Sequence, residues 1–241
     1  KMGFALFVGC LLVAFAVPLS LFFLLVARKP QLVVTAIAGS FFWLVSLALS
    51  AVIWYVVSPL QGTYWAMIPL SVLIEEAGRF IFLRFYSKAE RSFSVVSTNE
   101  IAFPLTDFYS ALASGCGYAL VHCLLMYSVI LSNALGPGTF FADTCSQFST
   151  FVVTSWLSFL FGILHIVMMV IAYDVFRRRS LIKLVVLVVI HLAASCMTLM
   201  FLMEDGCIIG MLCLFAIVVV AGIVMMIIVN QAHYKSRKQA L

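Results

Sequence analysis

Long apolar segments, separated by short polar loops, make up most of this sequence. An α-helix rises 1.5 Å per residue, so about 20 apolar residues in a row can cross the hydrocarbon core of a bilayer. Seven segments reach that length and predict an all-α polytopic membrane protein, a seven-transmembrane-helix bundle that forms one domain over residues 1–241. The predicted spans are, in chain order, about 3–27, 32–57, 65–86, 107–132, 148–174, 181–203 and 208–231.

The composition agrees with a membrane protein and leaves no space for a separate soluble domain. Hydrophobic residues make up 65% of the chain and charged residues 10%, whereas soluble domains average about 25% charged residues. The longest polar stretch, about 87–106, is predicted to be a cytosolic loop. The first segment is expected to be a membrane span rather than a cleaved signal peptide, because it has no basic region beyond Lys1 and no small-residue cleavage site.

The positions of the basic residues predict the orientation. Lys and Arg follow the first, third, fifth and seventh segments, at Arg28, Lys29, Arg84, Lys88, Arg91, Arg177–Arg179, Lys183, Lys235, Arg237 and Lys238. The other loops contain acidic residues instead, at Asp143, Glu204 and Asp205. Because basic loops stay in the cytosol, the N-terminus is predicted to be outside (lumenal) and the C-terminus cytosolic.

The third segment contains two carboxylates and a guanidinium, at Glu75, Glu76 and Arg79. A charge at membrane depth costs about 2.5–3.5 kcal/mol on insertion scales, so such groups face the bundle interior and find partners. Glu76 and Arg79 can pair because they are three residues apart on a helix, whereas Glu75 points about 100° away and is expected to need another partner. Further ionisable groups in apolar segments are His122, His165 and His191.

Four small residues of the fourth segment, Ala111, Gly115, Ala119 and Cys123, recur every four positions. They form a stripe on one helix face that lets another helix approach closely. The neighbour is either a helix of this chain or a helix of a partner subunit.

The turn and cysteine positions give three further expectations. Gly136–Gly138 is predicted to end the fourth helix. Cys145 and Cys207 fall in or near two outside loops, where they either form a disulfide or remain thiols. No cofactor or metal site is expected, because no CxxC or Cys/His metal spacing occurs.

A series of motifs along the chain resembles the anterior-pharynx-defective (APH) family, the scaffold subunit of γ-secretase, an intramembrane aspartyl protease complex. The resemblance runs from about residue 2 to 230. Its pieces are Met2-Gly, Gly9-Cys10, Val13-Ala-Phe15, Gly39-Ser-Phe-Phe-Trp-Leu-Val-Ser-Leu, Glu76, Arg79-Phe80, Lys88-Ala-Glu90, Asn133-Ala-Leu-Gly-Pro-Gly138, Leu164-His165, Asp174 with Arg177–Arg179, and His191-Leu.

The resemblance implies a non-catalytic subunit that binds presenilin and nicastrin before the presenilin enhancer subunit joins. Presenilin would supply the catalytic aspartates for cleavage of type I membrane proteins, as in Notch signalling. The implied location is the membranes of the endoplasmic reticulum, the Golgi, the cell surface and endosomes, with lipid and no nucleic acid as a further partner. The family's membrane carboxylate, arginine and two histidines fall on Glu76, Arg79, His165 and His191, an assembly cluster. Its three-glycine stripe falls on Gly115, Ala119 and Cys123, of which only the first is glycine.

Three motifs leave an enzymatic alternative: the pair Glu75-Glu76 followed by Arg79, the run Phe161-Gly-Ile-Leu-His165 and the run His191-Leu-Ala-Ala-Ser195. Together they resemble motifs of CAAX-type membrane peptidases. If the chain were such an enzyme acting on prenylated proteins, Glu75, Glu76, His165 and His191 would be catalytic. A glutamate can act as general base to a water, and histidines can donate to an oxyanion. Arg79, however, comes one residue early for the peptidase pattern, which rotates it about 100° around the helix. The same residues can also form a structural polar cluster without any reaction.

A seven-span receptor is a third class with this topology. It is disfavoured because no Asp-Arg-Tyr triplet follows the third segment and no Asn-Pro-x-x-Tyr run occurs in the seventh.

Overall fold

A computed structural model gives the structure of the chain and describes residues 2–96, 107–131, 141–142, 144–204 and 206–239. Most of these residues are helical, and several helices are apolar enough to cross a membrane. The predicted all-α membrane class is therefore confirmed. The predicted turn at Gly136–Gly138 and the acidic residues Asp143 and Asp205 lie outside the described residues.

Seven long helices follow one another in the described ranges, each at the place of a predicted span. They are α1 (Met2–Leu21), α2 (Pro30–Val56), α3 (Tyr64–Val96), α4 (Asp107–Leu131), α5 (Thr150–Arg178), α6 (Leu181–Met197) and α7 (Gly206–Gln239). A π-helical turn, Phe22–Val26, extends α1, and a 3₁₀ stretch, Thr198–Leu202, extends α6. Ser58–Leu60 forms a short 3₁₀ turn between α2 and α3. In these ranges six helices, all except α3, have the length and composition of a membrane span.

Helix α3 is much longer than its predicted span, so the prediction of a loop from residue 87 is wrong for its first ten positions. The helix continues to Val96. Its last turns are held by contacts that sequence spacing does not reveal, since Arg177 of α5 donates to both Glu90 of α3 and Asp107 of α4. These ion pairs join three helices at the end of the bundle that carries the basic residues.

A small two-stranded sheet, which was not predicted from the sequence, covers the end of the bundle opposite the basic residues. Strand β1 (Phe141–Ala142) pairs antiparallel with β2 (Cys145–Ser149), directly before α5. A disulfide links Cys145 to Cys207 at the start of α7. The structure thus selects the disulfide from the two alternatives that the sequence left open for these cysteines.

Helix α5 is the central helix, with buried residues along its whole length. It packs against α1, α3, α4, α6 and α7, and the main core cluster surrounds it. The small-residue stripe of α4 lies in this core: Ala111, Ala119 and Cys123 are fully buried, and a Cβ atom on Gly115 would lie 2.8 Å from Cα of Ile166. The sequence left open whether the stripe packs against a helix of this chain or against a helix of a partner subunit. In the structure it packs against a helix of the same chain.

The cysteines of α4 also satisfy backbone groups of α1. Pro18 has no N–H, so the carbonyl of Ala14 one turn earlier lacks its usual helical donor. The thiol of Cys123 lies 3.4 Å from that carbonyl oxygen, and the thiol of Cys116 lies 3.3 Å from the carbonyl oxygen of Pro18. Within a membrane, where water cannot replace a lost partner, such side-chain donors let a helix retain an internal proline.

We expect Gly115→Ala to destabilise the purified chain by about 1–3 kcal/mol, since the added methyl group would overlap backbone of α5 that cannot move freely. Gly222 of α7 is the matched control, because a Cβ atom there meets no atom within 4 Å. Gly222→Ala should leave stability unchanged or raise it, since alanine favours a helix over glycine. Unfolding of both variants in mixed detergent micelles measures the difference, and equal effects would contradict the packing described here.

Candidate functional site

The polar centre of the bundle begins with three residues on α3. The guanidinium of Arg79 donates from Nη1 to Oε1 of Glu76 and from Nη2 to Oε1 of Glu75, both at 2.6 Å. One arginine therefore bridges carboxylates at spacings of three and four residues, both of which lie on its own helix face. The prediction that Glu75 points away from Arg79 is wrong. The prediction that it has another partner agrees with the structure, since its Oε1 also lies 3.2 Å from Nδ1 of His165.

A histidine relay extends from Arg79 to α5 and α4. Nη2 of Arg79 also lies 2.9 Å from Nδ1 of His165, and Nε2 of His165 lies 3.2 Å from Nδ1 of His122. Nδ1 of His165 also lies 3.2 Å from Oε1 of Glu75. This ring nitrogen accepts from Arg79 in one tautomer and donates to Glu75 in the other. His165 of α5 therefore contacts both α3 and α4.

Helix α6 joins the centre through His191. Its Nδ1 lies 2.6 Å from Oε1 of Glu76, and since a carboxylate oxygen accepts, this ring nitrogen donates. On its other side, Nε2 of His191 lies 3.8 Å from Oε2 of Glu75. The imidazole therefore stands between the two carboxylates of α3 and connects that helix to α6.

Aromatic rings surround the charges. The ring of Tyr118 on α4 lies 5.2 Å from Cζ of Arg79, within the range of a cation–π contact. Trp43 of α2 packs edge-on against both His122 and His165, with centroid distances of 5.5 and 6.1 Å. Five helices thus contribute to one site, in which Arg79 is completely buried.

A cavity of about 240 Å³ borders the polar centre. Its polar lining includes one carboxylate, three imidazoles and several hydroxyls: Glu75, His122, His165, His191, Ser46, Ser50, Ser71 and Ser195. Trp43, Leu47, Met126 and Phe161 form its apolar wall. Glu75 is the more accessible of the two carboxylates, with 18% of its side chain exposed against 4% for Glu76.

The structure brings together all four residues predicted for the polar cluster: Glu76, Arg79, His165 and His191. It adds His122, which the sequence showed only as an isolated histidine in an apolar segment. It also adds Tyr118, which lies one helical turn before His122 and so on the same face of α4. Nothing in the sequence indicated that Trp43 belongs to the polar centre, because a tryptophan in a membrane span is usually a packing residue. The predicted packing residues of α4 lie in the core beside the site.

The arrangement is suited to holding helices together. One oxygen of each carboxylate accepts a hydrogen bond from the same guanidinium. In the described part of the chain no group of three or more His, Cys, Asp or Glu side chains is arranged to hold a metal ion. The clearest consequence of the geometry is a set of charge-assisted contacts between α3, α5 and α6, and such contacts are about twice as strong as neutral hydrogen bonds.

Arg79→Gln should destabilise the chain by about 3–5 kcal/mol, because it leaves the buried carboxylate of Glu76 and the partly buried one of Glu75 without their guanidinium. Arg84→Gln is the matched control, since Arg84 is exposed on the same helix. Denaturation of the purified chain in micelles measures both effects. A loss of similar size in the two variants would show that the buried charge cluster contributes little to stability.

Comparison with known proteins agrees with the resemblance seen in the sequence. The family model described as "Aph-1 protein" matches residues 5–232. The chain is 30% identical over 217 residues to "Gamma-secretase subunit APH1-like" of Arabidopsis thaliana, covering 87% of each chain. It is 32% identical over 206 residues to "Gamma-secretase subunit Aph-1b" of Danio rerio, with 82% of this chain and 79% of the relative covered. It is 30% identical over 196 residues to "Gamma-secretase subunit Aph-1" of Drosophila melanogaster, with 80% of each covered. A match over nearly the whole membrane bundle shows that this chain belongs to the Aph-1 family.

Proposed function

We propose that this chain is the non-catalytic scaffold subunit of a γ-secretase complex, and that it supports intramembrane proteolysis by holding partner helices in position. Its proposed partners are presenilin, nicastrin and the presenilin enhancer subunit. The observation that carries the proposal is the family match over residues 5–232, which spans the helices that contribute to the polar centre. The proposed location follows that of the complex: the endoplasmic reticulum, the Golgi, and the plasma and endosomal membranes.

The internal structure of the bundle supports a scaffold role. Hydrogen bonds at the polar centre connect α3, α4, α5 and α6, and close contacts of small residues join α4 to α5. Meanwhile α1, α2, α6 and α7 expose many large apolar side chains on their outer faces. A rigid interior with apolar outer faces is suited to packing partner helices, because association of membrane helices depends on close van der Waals fit.

The hydrogen bonds of the carboxylates favour a scaffold over the CAAX-type peptidase alternative. A general base needs an available lone pair within reach of water. Glu76 is buried and uses one oxygen for both Arg79 and His191. Glu75 borders the cavity, but one of its two oxygens is bound to Arg79. The guanidinium of Arg79 lies between the two carboxylates and donates to both of them. We therefore propose that the chain itself has no peptidase activity.

We also propose that all seven helices span the membrane, with the N-terminus lumenal and the C-terminus cytosolic. The disulfide supports this orientation, since Cys145 and Cys207 lie at the end of the bundle opposite Arg177 and Lys183. Disulfides form in the oxidising lumen, whereas basic loops remain in the cytosol. The disulfide and the basic residues are independent observations, and both favour a lumenal position for the Cys145–Cys207 end of the bundle.

In sealed vesicles from the endoplasmic reticulum, the Cys145–Cys207 disulfide should resist a membrane-impermeant reductant until detergent opens the vesicles. The expected readout is a gel shift after modification of new thiols with a maleimide polymer, compared with a Cys145→Ser, Cys207→Ser variant. Reduction in sealed vesicles would place the disulfide on the cytosolic side and reverse the proposed orientation.

Purification of the tagged chain in mild detergent, from cells that express it, should recover presenilin and nicastrin in near-equal amounts. The double variant His165→Ala, His191→Ala removes the contacts of α5 and α6 with Glu76 and Arg79 and should lower this recovery severalfold at equal expression. The matched control is Gly222→Ala, at an open position of α7. Mass spectrometry of the co-purified membrane proteins measures the ratio.

Recovery of neither partner would contradict the scaffold proposal. Wild-type recovery by the double variant would show that assembly does not depend on the polar centre. Cleavage of a prenylated peptide by the purified chain alone, abolished by Glu75→Gln, would instead establish the peptidase alternative.

A further inference from the structure

The wall of the cavity beside the polar centre carries a carboxylate, and the arginine that pairs with this carboxylate does not reach it. Glu75 lines the cavity, and among the described residues that form the wall there is neither Lys nor Arg. Arg79 is completely buried, with Nη1 and Nη2 directed at Glu76, Glu75 and His165. The three imidazoles of the wall can donate or accept according to their tautomer. A cleft of this kind attracts a cationic ligand rather than an anionic one.

Glu75 has one oxygen available for a ligand. Its Oε1 accepts from Arg79 at 2.6 Å and lies 3.2 Å from Nδ1 of His165. Its Oε2 makes no hydrogen bond with the described residues, and Nε2 of His191 lies 3.8 Å from it, beyond hydrogen-bond distance. A carboxylate oxygen without a donor is unfavourable in a medium of low polarity. A ligand that donates to Oε2 would supply the missing hydrogen bond.

Two hydroxyls of the cavity wall can only accept from a ligand. The hydroxyl of Ser46 donates to the carbonyl of Phe42, and that of Ser71 donates to the carbonyl of Ile68, both at 2.9 Å. Because a hydroxyl has one hydrogen, these serines have only lone pairs left for the cavity. Ser71 lies one turn before Glu75 on the same face of α3. The wall therefore suits a ligand with several N–H donors.

The apolar part of the wall extends toward the Cys145–Cys207 end of the bundle. Met126 of α4 and Phe161 of α5 each lie about one turn from a histidine of the wall, in the direction of that end. They lie between the charges and the disulfide end, so a short carbon chain can contact them while its polar end reaches Glu75.

The volume of the cavity restricts the ligand to a small molecule. The 240 Å³ of the cavity correspond to roughly eight water molecules at about 30 Å³ each. Pockets for drug-sized ligands are larger, at about 300–1,000 Å³. In the described part of the chain no group of three His, Cys, Asp or Glu side chains is placed to hold a metal ion. The cation that fits is therefore an organic one with a few carbon atoms.

We propose that the cavity binds a small aliphatic ammonium compound. Its nitrogen donates to Oε2 of Glu75 and to the hydroxyl oxygens of Ser46 and Ser71, and its carbon atoms lie against Met126 and Phe161. The ligand enters from the disulfide end and adds a second cation to the pair of carboxylates on α3. This binding site does not depend on the proposed scaffold function, because it is formed by the isolated chain.

Saturation-transfer nuclear magnetic resonance on the full chain, in nanodiscs of deuterated phosphatidylcholine, measures binding of n-propylammonium. Irradiation of protein protons reduces the signal of a ligand that exchanges with the bound state. Propanol and propionate are matched probes of the same length, one neutral and one anionic. After subtraction of the effect in empty nanodiscs, we expect a larger reduction for n-propylammonium than for either of them.

Glu75→Gln should raise the dissociation constant of n-propylammonium about tenfold or more, because a neutral amide replaces the carboxylate as acceptor. Ser195→Leu fills the same cavity from α6 without changing a charge and should also abolish binding, so the test does not rely on the folding of one variant. Ser20→Leu, at an exposed position of α1, is the matched control and should bind n-propylammonium like the unsubstituted chain.

The absence of binding, equal binding of propanol, or preferred binding of propionate would each overturn the proposal. Binding that persists in Ser195→Leu would also overturn it, since the ligand would then lie outside the cavity.

Nanodiscs that contain phosphatidylethanolamine distinguish two sources of the ammonium group. If the lipid headgroup occupies the site, n-propylammonium binds only in phosphatidylcholine; if the ligand is a soluble amine, it binds equally in both lipids. Either result agrees with an ammonium site. Recovery of presenilin and nicastrin is measured in a separate experiment, so failure of the ammonium site leaves the scaffold function standing, and the reverse.

Discussion

The structure depends on the pairing of two carboxylates with one buried guanidinium. Glu75, Glu76 and Arg79 occupy one face of α3, and the bundle closes around them so that Arg79 has no solvent exposure. In a medium of low dielectric constant, these attractions are stronger than in water, but an unmatched charge is also more unfavourable. The charges therefore determine which faces of the neighbouring helices turn inward: those with an imidazole or an aromatic ring.

Close helix packing is the second requirement, because it brings the imidazoles within hydrogen-bond distance of α3. Small residues let the backbones of α4 and α5 approach until Gly115 meets Cα of Ile166. The same approach places thiols beside the carbonyls of Ala14 and Pro18 in α1. Lipid offers no hydrophobic gain for helix association, so this steric fit and the polar contacts together hold the bundle. Such an interior is what a scaffold needs if it is to position the helices of other subunits.

Much of the fold could be predicted from the sequence, because hydropathy and helix rise determine where a membrane helix can lie. The seven long helices coincide with the predicted spans, and the family match agrees with motifs that occur in order along the chain. The prediction failed where tertiary contacts decide: α3 extends to Val96 beside the ion pairs of Arg177, and the short sheet before α5 was not expected. Local sequence contains little information about the extension of α3, since it lies beside ion pairs of Arg177, a residue distant in the chain.

For the candidate site, the sequence by itself determined which ionisable groups are in the membrane and that they must find partners. Spacing along one helix was sufficient for Glu76 and Arg79, which lie on the same face. Only the tertiary structure decided that Arg79 binds Glu75 as well, that His165 connects Arg79 to His122, and that His191 stands between the two carboxylates. The physical reason is that a hydrogen bond between side chains of different helices is sensitive to changes of a few tenths of an ångström in the distance between donor and acceptor. Those distances are set by how closely α3, α4, α5 and α6 pack, which no periodicity in a single segment specifies.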